Sequence, residues 1–489
     1  MKRLFVTNLG LVLFLNLLVK PFWIFGIDRS VQNTVGSGEY GFYFALFNFS
    51  LILNILLDLG ITNYNNRNIA QHNQLLSKHL SNVIVLKFLL AVFYLVVCMT
   101  IAFVIKYDLR QIEMLIFLVF NQFLLSFILY LRSNLSGLHL FKTDSFISVL
   151  DRLLMIGICA LLLWGNITSV PFKIEWFVYS QTAAYLFTAL VTLFIVMRKA
   201  GFFRLHFDRS FFIVFLKQSY PYALLILLMA FYNRIDSVMI ERLLPNGDVE
   251  AGIYAQSYRI LDAASMISFL FAGLLLPIFS KMLKNKQPVN QLVQFSYKLI
   301  IVPAVIFVVG AILYAPDLMK LLYKGKELHY SATIFGCIIP GLLAISTTYI
   351  YGTLLTANGK LKQLNIMAAS AMIINITLNF ILIPRFHALG SAISSLTTQS
   401  LTAIVQILIA NQIFSFKTDW KFVSVLILFT ACVFGVGLLV KNTFDNWFYG
   451  FVLIGAIGVI AALALKLIDL KGIYNIIRNR DEDEVIGTA

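Results

Sequence analysis

The stretch FYNRIDSVMIERLLPNGDVEAGIYAQSYRILD, residues 231–262, decides the fold. It places Arg234, Asp236, Arg259 and Asp262 within apolar runs that are otherwise long enough to cross a bilayer. An ionisable side chain at membrane depth costs several kcal/mol on most scales, so it usually faces a watery cavity or a partner. These four residues are therefore candidates for a functional site. The alternative is that Arg259 and Asp262, three positions apart on one helix face, only neutralise each other.

The whole chain has the composition of a polytopic membrane protein. Its 489 residues are 60% hydrophobic and only 12% charged, whereas soluble domains carry about 25% charged residues. The apolar segments have the length of helices that cross a hydrocarbon core of about 30 Å. The alternating pattern of a transmembrane barrel is absent from the sequence, so the predicted fold class is all-α.

Apolar runs predict about fourteen transmembrane helices, the first at about 6–26 and the last at about 447–466. Lys and Arg are roughly twice as frequent in the segments on the N-terminal side of the membrane as in those on the other side, so both termini are predicted to be cytoplasmic. The net charge of +15 is explained by these short basic loops. It is not read as a nucleic-acid-binding surface.

A short motif occurs twice in the chain. GSGEYGFY at 36–43 and GDVEAGIY at 247–254 share two glycines, a glutamate and a tyrosine, and IDRSV at 27–31 echoes IDSV at 235–238. The repeat predicts two homologous six-helix bundles, residues 1–200 and 201–413, followed by two additional helices at 414–470 and a cytoplasmic tail at 471–489. Parallel repeats of this kind occur in transporters that rock two bundles about a central site.

Further charged residues lie at predicted membrane depth outside the opening stretch. Lys20 belongs to the outer half of the first span, whereas Asp58 and Arg152 lie at the inner ends of theirs. Basic residues are thus predicted in two tiers, one near each face of the membrane. Two such tiers would suit a large anion such as a diphosphate, which Arg holds through paired hydrogen bonds and Lys as a point charge. The expected role of Lys87 and Lys217 is to snorkel to lipid headgroups.

The pattern Tyr232-x-Arg234-x-Asp236-x-x-Met239-Ile240, followed by Gly252-x-Tyr254, resembles the centre of the Wzx-type polysaccharide or O-antigen flippases. Two other regions agree with the resemblance: GEYGFYFALFNFSLILNILLDLGITNYNNRNIA at 38–70, and LLTANGKLKQLN with NITLNFILIPRFHALGSA within 354–392. The resemblance extends over the first twelve predicted helices. That family belongs to the superfamily of multidrug, oligosaccharidyl-lipid and polysaccharide exporters, which includes the MATE-like drug transporters.

The resemblance implies two six-helix bundles arranged as a V around a cavity, with alternating access. It implies an oligosaccharide repeat unit attached by diphosphate to undecaprenol as the substrate, moved from the inner to the outer leaflet of a bacterial cytoplasmic membrane. Carried onto this chain, the cationic role falls on Arg234 and Arg259, with Lys20 a further candidate, while Asp236 and Asp262 would moderate the attraction. Glycosyltransferases and a polysaccharide polymerase of the same pathway would be its partners.

Two alternatives stay open. A drug exporter of the same fold, coupled to protons or sodium, would need an acidic or aromatic cavity, but the charges at membrane depth lean basic. A membrane-bound polymerase, ligase or glycosyltransferase would be expected to carry a large outer loop or a soluble domain, and the sequence contains no HExxH, nucleophile elbow or P-loop. We therefore expect a transporter without a cofactor or metal site, in which a coupling proton or sodium ion could bind at Asp58, Asp236 or Asp262.

Overall fold

The computed structural model describes residues 18–19, 21–62, 65, 69, 76–138, 140–165, 169–200, 209–325, 327–417 and 419–467. These residues form helices and turns, with no strand among them, which confirms the all-α class. A π-helical turn, Trp23–Asp28, leads into the first α-helix. The α-helices are α1 Arg29–Ile52, α2 Leu76–Val104, α3 Leu109–Gly137, α4 Phe141–Trp164, α5 Ile174–Ala200, α6 Arg209–Leu243, α7 Gly247–Lys284, α8 Asn290–Leu313, α9 Ala315–Leu322, α10 Leu328–Ile338, α11 Gly341–Ala357, α12 Leu361–Phe414, α13 Trp420–Thr443 and α14 Trp447–Ala464.

Eleven helical stretches of the described residues are long and apolar enough to cross a membrane. The sequence predicted about fourteen spans, and the difference has three sources. The first predicted span lies mostly outside the described residues. The second begins in α1, whose backbone leaves the helical conformation at Gly36 and whose N-terminal half carries the polar residues Gln32, Asn33, Ser37 and Glu39. The eleventh and twelfth are the two arms of α12, which meet at a backbone break and count as one stretch.

The 54 residues of α12 form two helical arms that fold back on each other, which agrees with the two spans predicted there. The Ser394 hydroxyl donates to the Asn375 carbonyl at 3.0 Å, whereas a straight helix would separate residues 19 apart by about 28 Å. The backbone breaks at His387, where φ is 55°, three residues after Pro384. Proline cannot donate a helical hydrogen bond, which weakens the helix at this place. The Glu250 carboxylate accepts a hydrogen bond from the Ala388 backbone N–H at 3.1 Å and so holds the break in place.

The chain divides into two compact units. Unit 1 comprises Met1–Arg259, Leu322–Ser331 and Leu361–Thr398, and unit 2 comprises Ile260–Leu321, Ala332–Lys360 and Gln399–Ala489. Helices α7 and α12 each contribute to both units. The bundle boundaries predicted from the repeat, near residues 200 and 413, stay a prediction.

Within unit 1, the glycines of the repeated motif meet each other. A Cβ atom on Gly41 would lie 1.8 Å from the Asp248 carbonyl oxygen, and one on Gly252 would lie 1.9 Å from the Ser37 carbonyl oxygen. Glycine is therefore required where α1 crosses α7, as at many close contacts between membrane helices. The Gln32 amide donates a hydrogen bond to the Gly252 carbonyl at 2.9 Å across this crossing.

Within unit 2, the two added helices α13 and α14 pack against α8. Their shared apolar core includes Val302, Val305, Phe429, Val433 and Ile454. The Lys441 ammonium on α13 donates to the Leu313 carbonyl at 2.6 Å, which satisfies an end carbonyl of α8. These contacts anchor the added helices to unit 2 through both apolar packing and a helix-end hydrogen bond.

We expect Gly252→Leu to destabilise the protein strongly, because a side chain there must displace the backbone of α1. Overpacking of this kind costs about 3 kcal/mol or more when rigid backbone is in the way. Gly273→Leu is the matched control on the same helix, since its Cβ would meet nothing within 4 Å. Thermal unfolding and the monodisperse fraction in detergent measure the effect. Equal Tm values for the two variants would contradict the close crossing.

Candidate functional site

Three of the predicted arginines lie in unit 1 among aromatic rings. Arg152 comes from α4, Arg234 from α6 and Arg259 from α7. We call these arginines, together with the rings of Trp23, Tyr40, Tyr43, Phe44, Tyr185 and Tyr258, the arginine–aromatic cluster.

Arg259 is more buried than Arg152, with 14% of its side chain exposed against 25%. Its Nε lies 3.1 Å from Asp28 Oδ2 and donates to the Tyr40 hydroxyl at 3.0 Å. The Tyr40 hydroxyl in turn donates to the same Asp28 oxygen at 2.8 Å. Asp28 is the last residue of the π-helical turn before α1. The contact therefore ties α7, which carries the second copy of the motif, to the first copy.

The face of the Arg259 guanidinium lies over the Phe44 ring, with Cζ 5.1 Å from its centroid. The Arg234 guanidinium lies 5.3 Å from the centroid of Tyr258, and Tyr258 contacts Phe44 edge-on at 6.3 Å. Aromatic faces attract cations through their quadrupole. These rings therefore connect Arg234 to Arg259 in one continuous region.

Arg152 has a different environment from Arg259. Its Nη1 donates to the Tyr185 hydroxyl at 2.9 Å, and its Cζ lies 5.8 Å from the Trp23 ring. Within the described part of the chain, the nearest carboxylate oxygen is Asp151 Oδ2, which is 4.0 Å from Arg152 Nε. The guanidinium therefore retains donors and charge that no nearby carboxylate fully satisfies.

A row of rings joins the surroundings of Arg152 to those of Arg259. Trp23 stacks on Phe177 at 5.6 Å, Phe177 contacts Tyr43 at 5.2 Å, and Tyr43 contacts Tyr40 at 5.7 Å. The Gln181 amide donates to the Tyr43 hydroxyl at 3.1 Å and fixes this ring. Ring contacts thus connect Arg152 to Arg259 within unit 1.

Two further residues add polar groups close to the cluster. Arg29, which follows Asp28, has a buried Nε with no hydrogen-bond acceptor in the described residues. Tyr323 lies between α9 and α10, outside the predicted spans, and burial raises its pKa. Its hydroxyl therefore stays protonated and donates to the Gln256 carbonyl at 3.1 Å.

This arrangement has the chemistry of an anion site. Rings hold the guanidinium planes, and the N–H groups of a guanidinium can make bidentate contacts with a phosphate. Tyrosine hydroxyls can donate further hydrogen bonds to phosphate oxygens. Arg152 has no carboxylate oxygen closer than 4.0 Å among the described residues, so the positive charge at this place favours an anion.

Asp236 lies in a separate buried polar group of unit 1, which we call the Asp236 cluster. Its carboxylate accepts hydrogen bonds from the Tyr254 hydroxyl at 2.8 Å, from Asn379 at 2.8 Å and from Asn375 at 3.2 Å. The Ser391 hydroxyl donates to the Asn379 side-chain oxygen at 2.8 Å. All of these donors are neutral, so hydrogen bonds rather than an ion pair hold the carboxylate.

Asp58 forms an ion pair with Lys87, away from the arginines. The Lys87 ammonium is 2.6 Å from Asp58 Oδ1 and also donates to the Ser126 hydroxyl and the Leu57 carbonyl, each at 2.9 Å. Lys87 is 1% exposed. The expectation that Lys87 snorkels to lipid headgroups is therefore wrong, because protein oxygens satisfy all three ammonium donors.

The remaining sequence candidates are Asp262, Lys20 and Lys217. Asp262 is half-buried and belongs to unit 2, and its pairing with Arg259 stays a prediction. Lys20 and the side chain of Lys217 lie outside the described residues.

Sequence reasoning missed Asp28 and Tyr40 as site residues, although the repeat contained a usable signal. It aligns Ile27-Asp28 with Ile235-Asp236, and Asp236 was already a candidate. In the structure each of these aspartates accepts a tyrosine hydroxyl at 2.8 Å. Both copies of the motif therefore place a carboxylate beside a tyrosine.

Several solved structures of transporters are similar to this one. The lipid II flippase MurJ, in an inward closed conformation, aligns with a TM-score of 0.68 at 16% identity over 95% of this chain and 98% of its own. A multidrug resistance MATE family transporter of the MOP superfamily, facing inward, aligns at 0.63 with 14% identity over 84% and 98%. A MOP superfamily transporter from Pyrococcus furiosus, titled as having a binding pocket of reverse polarity, aligns at 0.59 with 14% identity over 84% and 95%.

These likenesses show that the chain has the fold of the MOP superfamily, as the sequence resemblance implied. No curated protein matches the sequence. The family described as polysaccharide biosynthesis protein matches residues 29–283, which is more than half of the chain. The matched segment contains GSGEYGFY, GDVEAGIY and all three arginines of the cluster. The chain belongs to the polysaccharide biosynthesis protein family.

Proposed function

We propose that this protein is a flippase that moves undecaprenyl-diphosphate-linked oligosaccharide repeat units from the inner to the outer leaflet of a bacterial cytoplasmic membrane. Glycosyltransferases would supply this substrate, and a polysaccharide polymerase would consume it. The observation that carries the proposal is the arginine–aromatic cluster, above all Arg152 with its nearest carboxylate 4.0 Å away. Membership of the polysaccharide biosynthesis family and the MOP fold support it.

Such a substrate needs a polar route. Each hydroxyl or amide that enters hydrocarbon without a hydrogen-bond partner costs free energy, and an unpaired charge costs far more. A cationic and aromatic surface within the membrane-spanning helices can replace the lost water around the diphosphate. The undecaprenyl chain can remain in lipid, where it carries no such cost.

Binding and release place opposite demands on the cluster. Coulomb attraction is strong where water is scarce, so three unopposed arginines would hold a diphosphate too tightly to release it. Asp28 limits this attraction because it already neutralises Arg259. In our proposal Arg152 makes the first contact, and the diphosphate then competes with Asp28 for Arg259. Loosening that ion pair would release α7 from the segment before α1. A local change of this kind can bias a switch between two packings of the helices.

The alternatives find less support in the site. A cationic drug would be repelled by three arginines in the cluster, and the rings that could stack on a drug already face those arginines. A polymerase or ligase would need a nucleophile or a general base next to its substrate. The cluster instead offers guanidinium, phenol and carboxylate groups that already bond to one another.

We also propose that Asp236 couples transport to a proton or a sodium ion. A buried carboxylate surrounded by neutral donors is costly as an anion, and binding a small cation would relieve this cost. The Tyr254 hydroxyl, the Asn375 and Asn379 amide oxygens and the Ser391 hydroxyl are oxygen ligands of a kind that suits sodium. Asp58 is less suited to the same role, because Lys87 already neutralises it.

We predict that Arg152→Gln and Arg259→Gln each slow flipping by about 10- to 100-fold, since each removes charge-assisted hydrogen bonds to the diphosphate. Flipping is measured in proteoliposomes with a fluorescent undecaprenyl-diphosphate oligosaccharide whose sugar is accessible to an enzyme or quencher only in the outer leaflet. The exposed Arg385 is the matched control, and Arg385→Gln is expected to flip at the wild-type rate. Wild-type rates in both cluster variants at equal abundance would contradict the proposal.

For coupling, we predict that Asp236→Asn abolishes the response of flipping to an imposed ion gradient while the protein still folds. The amide nearly matches the carboxylate in shape but cannot take up a coupling proton or neutralise a sodium ion. Initial flipping rates are compared in vesicles with a proton gradient, a sodium gradient or neither. Stimulation by one gradient in the wild type identifies the ion. Equal stimulation of the variant would rule out Asp236 as the coupling group.

A further inference from the structure

Unit 1 contains a cavity of about 580 Å³ that none of the residues of the arginine–aromatic cluster lines. It is lined by Glu39 from α1, Arg110 from α3, and Glu175, Trp176 and Tyr179 from the first turns of α5. Its volume lies in the range of small-molecule sites, about 300–1,000 Å³. In the predicted topology these helix ends face outward, opposite to the cytoplasmic termini.

The charges of this cavity already neutralise one another. Arg110 donates to both oxygens of Glu39, at 3.0 and 2.5 Å, and to Glu175 Oε1 at 2.8 Å. Its guanidinium also lies 4.5 Å from the Phe42 ring, which fixes its plane. With Lys173 also in the lining, two positive charges face two negative ones. The cavity therefore has no net charge with which to attract a phosphate or a cation.

The Glu39 and Glu175 carboxylates remain available as oriented hydrogen-bond acceptors. Glu39 and Glu175 are 43% and 29% exposed, so each carboxylate reaches solvent while Arg110 holds its position. A carboxylate has about four lone-pair sites, and the contacts with Arg110 use only some of them. These oxygens can accept hydrogen bonds from the hydroxyl groups of a neutral ligand.

Flat apolar surfaces lie beside these acceptors. Trp176 and Phe172 contact each other edge-on at 6.0 Å, and both line the cavity. Tyr179 is 45% exposed and is supported from behind by Phe117 at 4.8 Å. The electron-rich face of an aromatic ring suits the polarised C–H groups on one face of a pyranose.

We propose that this cavity binds a neutral sugar ring, with Trp176 stacking on the ring and Glu39 and Glu175 accepting its hydroxyl groups. The counterpart of Glu39 in the repeat, Glu250, instead bonds to Tyr330 and to the Ala388 backbone. In the second copy of the motif, Glu250 is thus engaged inside the protein. In the first copy, Glu39 is open to solvent. That the site receives the oligosaccharide as it leaves the membrane rests on the proposed function, whereas the sugar binding itself does not.

Saturation-transfer NMR on the protein in lipid nanodiscs, free of sugar-based detergents, tests the proposal. The probes are D-glucose, D-galactose and N-acetyl-D-glucosamine, with sorbitol as the acyclic polyol and inorganic phosphate as the competing anion. We expect a saturable signal with a millimolar Kd for at least one pyranose and none for sorbitol. Phosphate should not compete, because the cavity is electrically balanced.

Two variants and a control complete the test. Trp176→Ala and Glu175→Gln are expected to weaken sugar binding by about tenfold or more. Trp164→Ala is the matched control, because Trp164 is also exposed, by 58%, but does not line the cavity. The proposal is overturned if no pyranose gives a saturable signal, if phosphate displaces the sugar, or if all three variants bind equally. Flipping without sugar binding would reject this inference alone, and sugar binding without flipping would reject the proposed function alone.

Discussion

The contact of Arg259 with Asp28 and Tyr40 is the interaction on which the account of this protein depends. It joins a helix from the second copy of the motif to the first copy by an ion pair at 3.1 Å and a shared tyrosine hydroxyl. A buried ion pair is stable only when further groups satisfy its charges. Here the Tyr40 hydroxyl bonds to both partners, and the Phe44 ring lies against the Arg259 guanidinium. The contact is possible because Gly41 and Gly252 let the two helices approach until their backbones touch.

The polar groups buried in unit 1 differ in how completely the protein satisfies them, and this difference separates structural from functional roles. Lys87 with Asp58 is a closed pair whose ammonium donors all have protein acceptors. Asp236 has hydrogen bonds but only neutral donors, which suits a place for a small cation. Arg152 has a phenol partner and a distant carboxylate, which suits an anionic ligand.

Much of the fold and part of the site could be predicted from the sequence. Apolar run lengths predicted the helices, and the repeated glycines Gly41 and Gly252 marked the place where α1 crosses α7. The sequence correctly placed two spans on either side of Pro384 and His387, which are the two arms of α12. The hydrogen bond with Glu250 that stabilises the break could not be predicted, because it joins residues 138 positions apart. The burial of Lys87 was missed because its partner Asp58 lies 29 residues earlier. Asp28 was missed because only the fold brings its partner Arg259, from the second copy of the motif, into contact with it.

The most direct test of the central claim is whether the arginine–aromatic cluster binds a diphosphate. Phosphorus-31 NMR titration of the protein in nanodiscs with farnesyl diphosphate, a soluble short-chain polyprenyl diphosphate, measures this binding without requiring transport. The account predicts a saturable shift of the phosphorus signals whose Kd rises by about tenfold or more in Arg152→Gln, and no such rise in Arg385→Gln. The same Kd in the wild type and in Arg152→Gln would contradict it.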